Sequence, residues 1–343
     1  MKKIWYYPQY FPHFYCKASA CRHTCCSSWR IPVSRREYEV LTRMECSDEL
    51  YNRVQRAFEV PPFISEEVYR YICFNWLGEC SIQDKGLCSI HREKGEDFLP
   101  KICRLYPRSL KQINEYRLAS CSCSCEAVVE ILLEPGTTSI SSGEMDLEAE
   151  LHYEVSRPDI DQITAFQKIL KDDGISIADS LRMICTMVNR EAFLADWEST
   201  ADPLDQALRI LARLASSNRR LEEAVIPIIE RYRCDPQLYD IDRQRFEADF
   251  PQWEGFFNRV MNNSMLYDCF PFVDKRFDKT LSYKGLCACY GLLRVTCIGN
   301  HHFHPDREGL VDIVSALFHL IDHTSFYYNI NALADNAAIM LRL

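Results

Sequence analysis

Apolar side chains recur at three- and four-residue intervals through the second half of the chain, and that period belongs to helices. Ile163, Phe166, Ile169 and Leu170 fall on one helical face, as do Leu181, Ile184, Cys185 and Val188. Asp202 followed by Pro203 marks a helix start, because Asp caps free amides and proline in a first turn has no amide to waste. Leu204, Leu208, Leu211 and Leu214 then line one face, and segments 221–233, 253–266, 281–298 and 307–341 read likewise. Residues 151–343 are therefore predicted to form a helical domain of bundle type. Upstream the pattern changes. Residues 1–133 show short segments and few long periodic runs, and Glu134-Pro-Gly-Thr-Thr-Ser-Ile-Ser-Ser-Gly143 is turn-forming, with an acidic stretch to Glu150. The expected architecture is mainly α, with a cysteine-rich, metal-binding N-terminal part (1–133), a connecting loop (134–150), and a C-terminal helical bundle on which the first part packs.

Local signals within the first part place its thiols. Ser34-Arg-Arg-Glu37 has the form of a capping box and predicts a helix carrying Tyr38, Val40, Leu41 and Met44, just after the Cys25-Cys26 pair. Pro100 suits a first helical turn and Pro107 ends that helix, which puts Cys103 about one turn from each end. Ser124 is a candidate cap for a helix from Glu126 to Leu133, leaving Cys125 at an N-terminus that favours a thiolate. If Cys121, Cys123 and Cys125 lie on an extended strand, their side chains share one face.

Cysteine usage sharpens the picture more than any other component. Twelve of the 18 cysteines lie within the first 125 residues, among them Cys16, Cys21, Cys25, Cys26, Cys80, Cys88, Cys103 and Cys125. A disulfide scaffold is the competing explanation, but 343 residues can bury a core without staples, and the N-terminal stretch, broken by Pro8 and Pro12, lacks the apolar segment of a signal peptide. No apolar run reaches the roughly 20 residues of a membrane span. These features predict a protein of the reducing cytoplasm with no membrane partner, where clustered thiols more often hold metal than each other. A net charge of −9, from 49 acidic and 40 basic residues, disfavours a nucleic-acid partner and suits a lysine-bearing polypeptide.

The thiol spacing narrows the metal. Structural zinc commonly uses CxxC knuckles, and the chain contains no CxxC, whereas a four-iron cluster needs four thiolates and accepts more varied loops. Trp29 and Tyr106 are candidates for an apolar shell around such a cluster, or for ordinary core. The CxxxCxxC pattern of radical chemistry on S-adenosylmethionine starts at Cys21 and Cys25 but meets Ser28 at its third place. With 11 glycines the chain offers no GxGxxG after a strand and no P-loop. Cys287, Cys289, Cys297, His301, His302 and His304 form a second group, yet the apolar run around Cys287 and Cys297 reads as core. His319 and His323 lie four apart and can share a helix face.

The order Phe14-x-Cys16, Cys21, Cys25-Cys26, Trp29-x-Ile31, Cys80, Leu87-Cys88-Ser89-Ile90, Cys103-Arg104-x-Tyr106-Pro107-Arg108 and Ser124-Cys125 resembles the flagellin lysine N-methylase (FliB) family, with its zinc- or iron-chelating cysteine region. Phe270-Pro271-Phe272 and Ile321-Asp322-His323 extend the resemblance into the helical half. The resemblance implies transfer of methyl groups from S-adenosylmethionine to lysines of a protein, flagellin first, with a [4Fe-4S] cluster taking part and zinc as the alternative metal. It also implies a ligand pool of Cys16, Cys21, Cys25, Cys26, Cys80, Cys88, Cys103 and Cys125, eight thiols where one cubane takes four. Attack on a methylsulfonium needs a neutral amine, so the site requires a base or desolvation; Tyr106 and His323 are the candidates from sequence. The other class of function open at this point is a non-enzymatic zinc or iron-sulfur protein for electron transfer or partner docking.

Overall fold

The computed structural model describes residues 3–27, 31–75, 78–147, 149, 151–153, 160–170, 174–216, 218–273, 278–324 and 326–343. Trp29, expected near the thiols, and Ser28 lie outside the described residues. The chain divides into two compact units: residues 15–106 form one, and residues 1–14 with 107–343 form the other. The cysteine-rich unit is thus an insertion in the sequence of the larger one. The expected division at residue 133 differs from this, because the N-terminal segment is β1 (Lys3–Pro8), whose partners come after residue 107.

The 15–106 unit is built from short elements. Strand β2 (Ile31–Val33) leads to helix α1 (Arg35–Arg43), which opens with the predicted capping box: the Glu37 amide donates to Ser34 Oγ at 3.3 Å and the Ser34 amide to Glu37 Oε2 at 2.8 Å. Helix α2 (Asp48–Gln55) follows, capped by Ser47, then β3 (Phe58–Glu59) and β4 (Arg70–Ile72), which complete an antiparallel sheet of order β2-β4-β3. A hairpin of β5 (Gln83–Asp84) and β6 (Leu87–Cys88) turns through Lys85 and Gly86, both at positive φ, the conformation a two-residue hairpin requires and glycine supplies without strain. Helices α3 (Ser89–Lys94) and α4 (Lys101–Leu105) end the unit, with Pro100 capping α4 and Cys103 at its centre as expected. Ile31, Val33, Leu41, Leu50, Val54, Ile72, Ile82 and Ile90 form its core, and Cys80 is buried among them.

The larger unit carries a five-stranded sheet that the mainly helical expectation did not contain. Its order is β10-β7-β8-β1-β9, with β7 (Arg108–Ile113) and β8 (Tyr116–Cys121) as a hairpin, β9 (Ile140–Met145) antiparallel to β1, and β10 (Leu151–Tyr153) parallel to β7. The expected connecting loop at 134–150 therefore contains a paired strand. Helix α5 (Glu126–Leu132) follows β8. The helical part comprises α6 (Ile160–Leu170), α7 (Ile177–Trp197), α8 (Pro203–Ala215), α9 (Arg219–Cys234), α10 (Leu238–Asp249), α11 (Trp253–Tyr267), α12 (Lys279–Phe303), α13 (Arg307–His323) and α14 (Phe326–Leu333). The Asp202 cap is present, its Oδ1 accepting from Leu204 N at 2.8 Å. Among the described residues, no helix is long and apolar enough to cross a membrane.

Helix α12 is the axis of this part. It is buried from Leu281 to Asn300 on nearly every face, which only an internal helix tolerates, and it packs against α7, α10, α13, α14 and the turn 337–342. Three glycines permit the close approaches. A Cβ on Gly285 would sit 2.1 Å from the Tyr327 ring, one on Gly291 2.7 Å from Met340, and one on Gly299 2.4 Å from Ile228.

Candidate functional site

Four of the eight candidate thiols come together inside the 15–106 unit. Cys80 follows a bridge to Phe74, and its amide donates to the carbonyl of Cys26 at 2.8 Å, which joins the two cysteine segments. Gln83 pairs with Cys88 across the hairpin, so the turn at Gly86 carries Cys88 back toward Cys80. Arg53 and Arg92 hold the hairpin from opposite oxygens of Asp84, at 3.0 and 2.9 Å, and Arg53 also donates to Gln83 O at 3.1 Å. Cys103 arrives on α4, whose first amide, from Lys101, donates to Glu37 Oε1 at 2.6 Å, so one carboxylate caps α1 and fixes α4.

The electrostatics of these thiols identify them as one group. Burial raises Cys103 well above the ordinary thiol value, and the neighbouring Cys26, Cys88 and Cys80 raise it further. Burial pushes Cys80 up to about 12, with Cys26 and Cys88 adding to the shift, and Cys88 is raised mainly by burial and then by Cys26. Cys26 runs the other way, lowered to about 7 by its hydrogen bond with Cys25 against the cost of burial, with Thr24 assisting. One buried and three partly buried sulfurs that repel one another as thiolates pack in and against one core, and a cation among them would relieve both the repulsion and the desolvation.

Nearby backbone amides offset part of the cost of burial at two of the sulfurs: those of Ile82 and Gln83 favour the Cys80 thiolate and those of His91 and Ile90 the Cys88 thiolate, while the Gln83 amide itself donates to the Cys80 carbonyl oxygen at 2.9 Å. Both sets of amides lie in the same local sequence, Cys80-Ser-Ile-Gln and Cys88-Ser-Ile-His. Amides turned onto sulfur stabilise thiolates and tune a metal or cluster that they hold. By chemistry, thiols are the donors that zinc and iron-sulfur groups take. Among the described residues, no three His, Cys, Asp or Glu side chains are disposed to hold a single metal ion, so the thiols stand as a group in electrostatic range and not as a closed one-ion shell.

The other four expected ligands are placed differently. Cys16 is exposed, its sulfur accepting from Ala18 N at 3.3 Å; Cys21 is partly buried and Cys25 exposed beside Cys26. Cys125 belongs to the larger unit, where it is the residue preceding α5. Ser124 was expected to cap that helix and does not, because its hydroxyl is engaged by His323 Nε2 at 2.8 Å and by Ser122 at 2.6 Å. The expectation of one extended strand through Cys121, Cys123 and Cys125 also fails: β8 stops at Cys121 and a turn begins. Tyr106 closes α4 as its C-cap. Cys287, Cys289 and Cys297 are buried in α12 as core residues, while His301 pairs with Asp249 at 3.0 Å.

A second polar centre lies within the larger unit, at the turn after β8. Asn263 Oδ1 accepts from the Tyr10 hydroxyl at 2.5 Å and from Ser120 at 3.0 Å, while its amide donates to Cys121 O at 2.8 Å and to Cys123 Sγ at 3.2 Å. Ser122 donates to Asp322 Oδ2 at 2.5 Å, and Asp322 Oδ1 is buried with no hydrogen-bond partner. Burial raises Asp322 well above the carboxylate range and the nearby Asp268 raises it further. Asp268 is itself raised to about 6 by burial, partly offset by Lys111. Lys111 donates to the Tyr267 carbonyl and lies 4.7 Å from the Tyr267 ring centre. His323 is lowered to about 3, first by burial and then by His319, and so is neutral near pH 7. Asp268, held near 6, is thus a group of this centre whose protonation changes close to neutral pH. The sequence pattern brings out Cys121, Cys123, Ser124 and the Ile321-Asp322-His323 segment but not Lys111 or Asp268, because Lys111, Asp268 and Asp322 come from three distant segments.

A family model described as the FliB lysine N-methylase C-terminal domain matches residues 160–340, more than half of the chain. No curated protein and no solved structure matches the chain.

Proposed function

The chain belongs to the FliB lysine N-methylase family, and on that premise we propose that it transfers methyl groups from S-adenosylmethionine to lysine side chains of a protein substrate, flagellin first among them, with a [4Fe-4S] cluster as resident cofactor. The observation that carries the cofactor assignment is the grouping of Cys26, Cys80, Cys88 and Cys103 in and against one core, each of them near enough to act on the others' charge. These four would be the ligands, and Cys16, Cys21, Cys25 and Cys125 stand outside the set. With all four of its irons taken by these thiolates, such a cluster would supply cohesion and local charge rather than an open iron.

The reaction sets the task for the chain's own groups. The bond from sulfonium sulfur to methyl carbon breaks as the lysine nitrogen bonds to that carbon; S-adenosylhomocysteine leaves, and one proton of the ammonium must go elsewhere. The Asp268–Asp322 pair is assigned that proton. Asp268, held near 6, is ionised in part at neutral pH and is a far better acceptor than an ordinary carboxylate. His323, held near 3, is a poor acceptor and serves instead to anchor Ser124 beside Ser122 and Asp322. A thiolate-bound cluster also requires a reducing compartment, which assigns the protein to the cytoplasm.

The test is incubation of anaerobically purified full chain with methyl-labelled S-adenosylmethionine and flagellin, read by mass spectrometry. Lysines carrying the labelled methyl mass are expected. A protein with its cluster intact that labels no lysine would favour the non-enzymatic reading, and a colourless protein with stoichiometric zinc would replace the cluster by zinc.

A further inference from the structure

A cavity of about 410 Å³ in the helical part is lined by Arg243, Arg294, Arg342, Tyr239, Leu204 and Pro236, among others. Its size is that of a small-molecule site. Arg294 is only 4% exposed, and its environment is incomplete. Nη2 donates to Glu247 at 2.5 Å, Nε to Leu343 O at 3.4 Å, and the guanidinium lies 3.9 Å from the Trp253 ring centre. Nη1 is buried with no hydrogen-bond partner, and so is the hydroxyl of Tyr239, itself 6% exposed. Native interiors rarely leave such groups unsatisfied, and here two of them line the same cavity.

The charges of the wall point to the sign of the missing partner. Of the three arginines on the wall, Arg294 is paired with Glu247 and Arg243 with both Glu247 and Asp240, and the wall's own carboxylates are Asp202 and Asp240. Asp202 is occupied in capping α8, with Oδ1 on the amides of Leu204 and Asp205, and Asp240 is engaged by Arg243 at 3.1 Å. Arg342, exposed, is held by the carbonyls of Trp197 and Ser199 and has no carboxylate partner among the described residues. Two unmet donors beside the Arg342 guanidinium, the one of the three with no carboxylate partner among the described residues, call for an acceptor with several oxygens.

We propose that this cavity binds a small oxyanion-bearing molecule, a phosphate or a carboxylate, whose oxygens accept from Arg294 Nη1 and the Tyr239 hydroxyl. The lysine that receives the methyl group is a cation and is not the partner these donors call for. Leu204 and Pro236 give the rest of the molecule an apolar wall.

The experiment titrates the full chain with inorganic phosphate and, separately, with malonate, at ionic strength held constant with chloride, following heat of binding and melting temperature. Saturable binding of one of the two is expected, and which one binds identifies the head group. Tyr239→Phe removes a hydroxyl with no protein partner, so its anion-free melting temperature should stay level or rise while the affinity falls about tenfold. Arg342→Gln, at an exposed position, should weaken the same anion. Absence of saturation beyond the chloride control, or a Tyr239→Phe protein that binds as tightly as the wild type, overturns the proposal.

Discussion

Helix α12 and the 83–88 hairpin occupy opposite ends of a physical scale. Helix α12 is surrounded by other helices and reaches them through glycines, so its place is fixed by burial and close packing. The hairpin belongs to a unit of strands two or three residues long and helices of nine or fewer, and beside its small core stand four thiols that repel as thiolates. The larger unit can be stable on apolar area alone. On the proposed reading, a metal group held by these thiols would add the cohesion that the small core does not supply.

Four perturbations would break or sharpen that contrast. Removing the metal group by anaerobic chelation carries the largest expected effect: amides of residues 80–91 should exchange about a hundredfold faster or more, while those of 281–300 keep their protection, read by hydrogen exchange with mass spectrometry. Equal loss in both regions would erase the distinction.

The next effect lies in the larger unit. Asp268 has a folded value near 6 against 3.8 in the unfolded chain, so the favourable protonated form is fully present below 3.8 and its stability is lost as pH rises through 6. The cost above 6 is on the order of 3 kcal/mol. Asp268→Asn should therefore gain on the wild type between pH 4 and pH 7 in denaturant unfolding, and parallel curves would show that Asp268 is not strained by burial.

Gly299→Ala forces a methyl to 2.4 Å from Ile228, and that overpacking should outweigh the helix propensity gained, for a net loss of about 1–2 kcal/mol. A neutral result would mean that α9 and α12 give way. Smallest is Gly86→Ala, where φ of +81° costs a Cβ about 1 kcal/mol; it should loosen the hairpin and leave α12 untouched.

How much of this was legible in sequence depended on the range of the interactions. Helices α6 to α9 and α11 to α13 were predicted from their apolar period, and the Ser34 and Asp202 caps from residues three or fewer apart. Helix α10 escaped because its buried face is Tyr239, Asp242 and Phe246, and the buried Asp242 is neutralised by Arg231 at 2.7 Å from the neighbouring helix. Strand β9 reads as turn-forming Ser and Gly and is a strand because β1 pairs with it. The thiol region was legible as a region, while its selection of Cys26, Cys80, Cys88 and Cys103 was not, since a hairpin and a shared Glu37 carboxylate bring them together. The Cys-Ser-Ile repeat was the local signal available.

The central claim is that these four thiols hold an iron-sulfur cluster. Iron and acid-labile sulfide should be measured on anaerobically purified wild type and on single Cys→Ser variants. About four irons and four sulfides per chain are expected in the wild type, retained in Cys16→Ser and Cys125→Ser, and lost in Cys26→Ser, Cys80→Ser, Cys88→Ser and Cys103→Ser. Iron that survives the last four substitutions, or a wild-type chain that carries zinc and no sulfide, would contradict it.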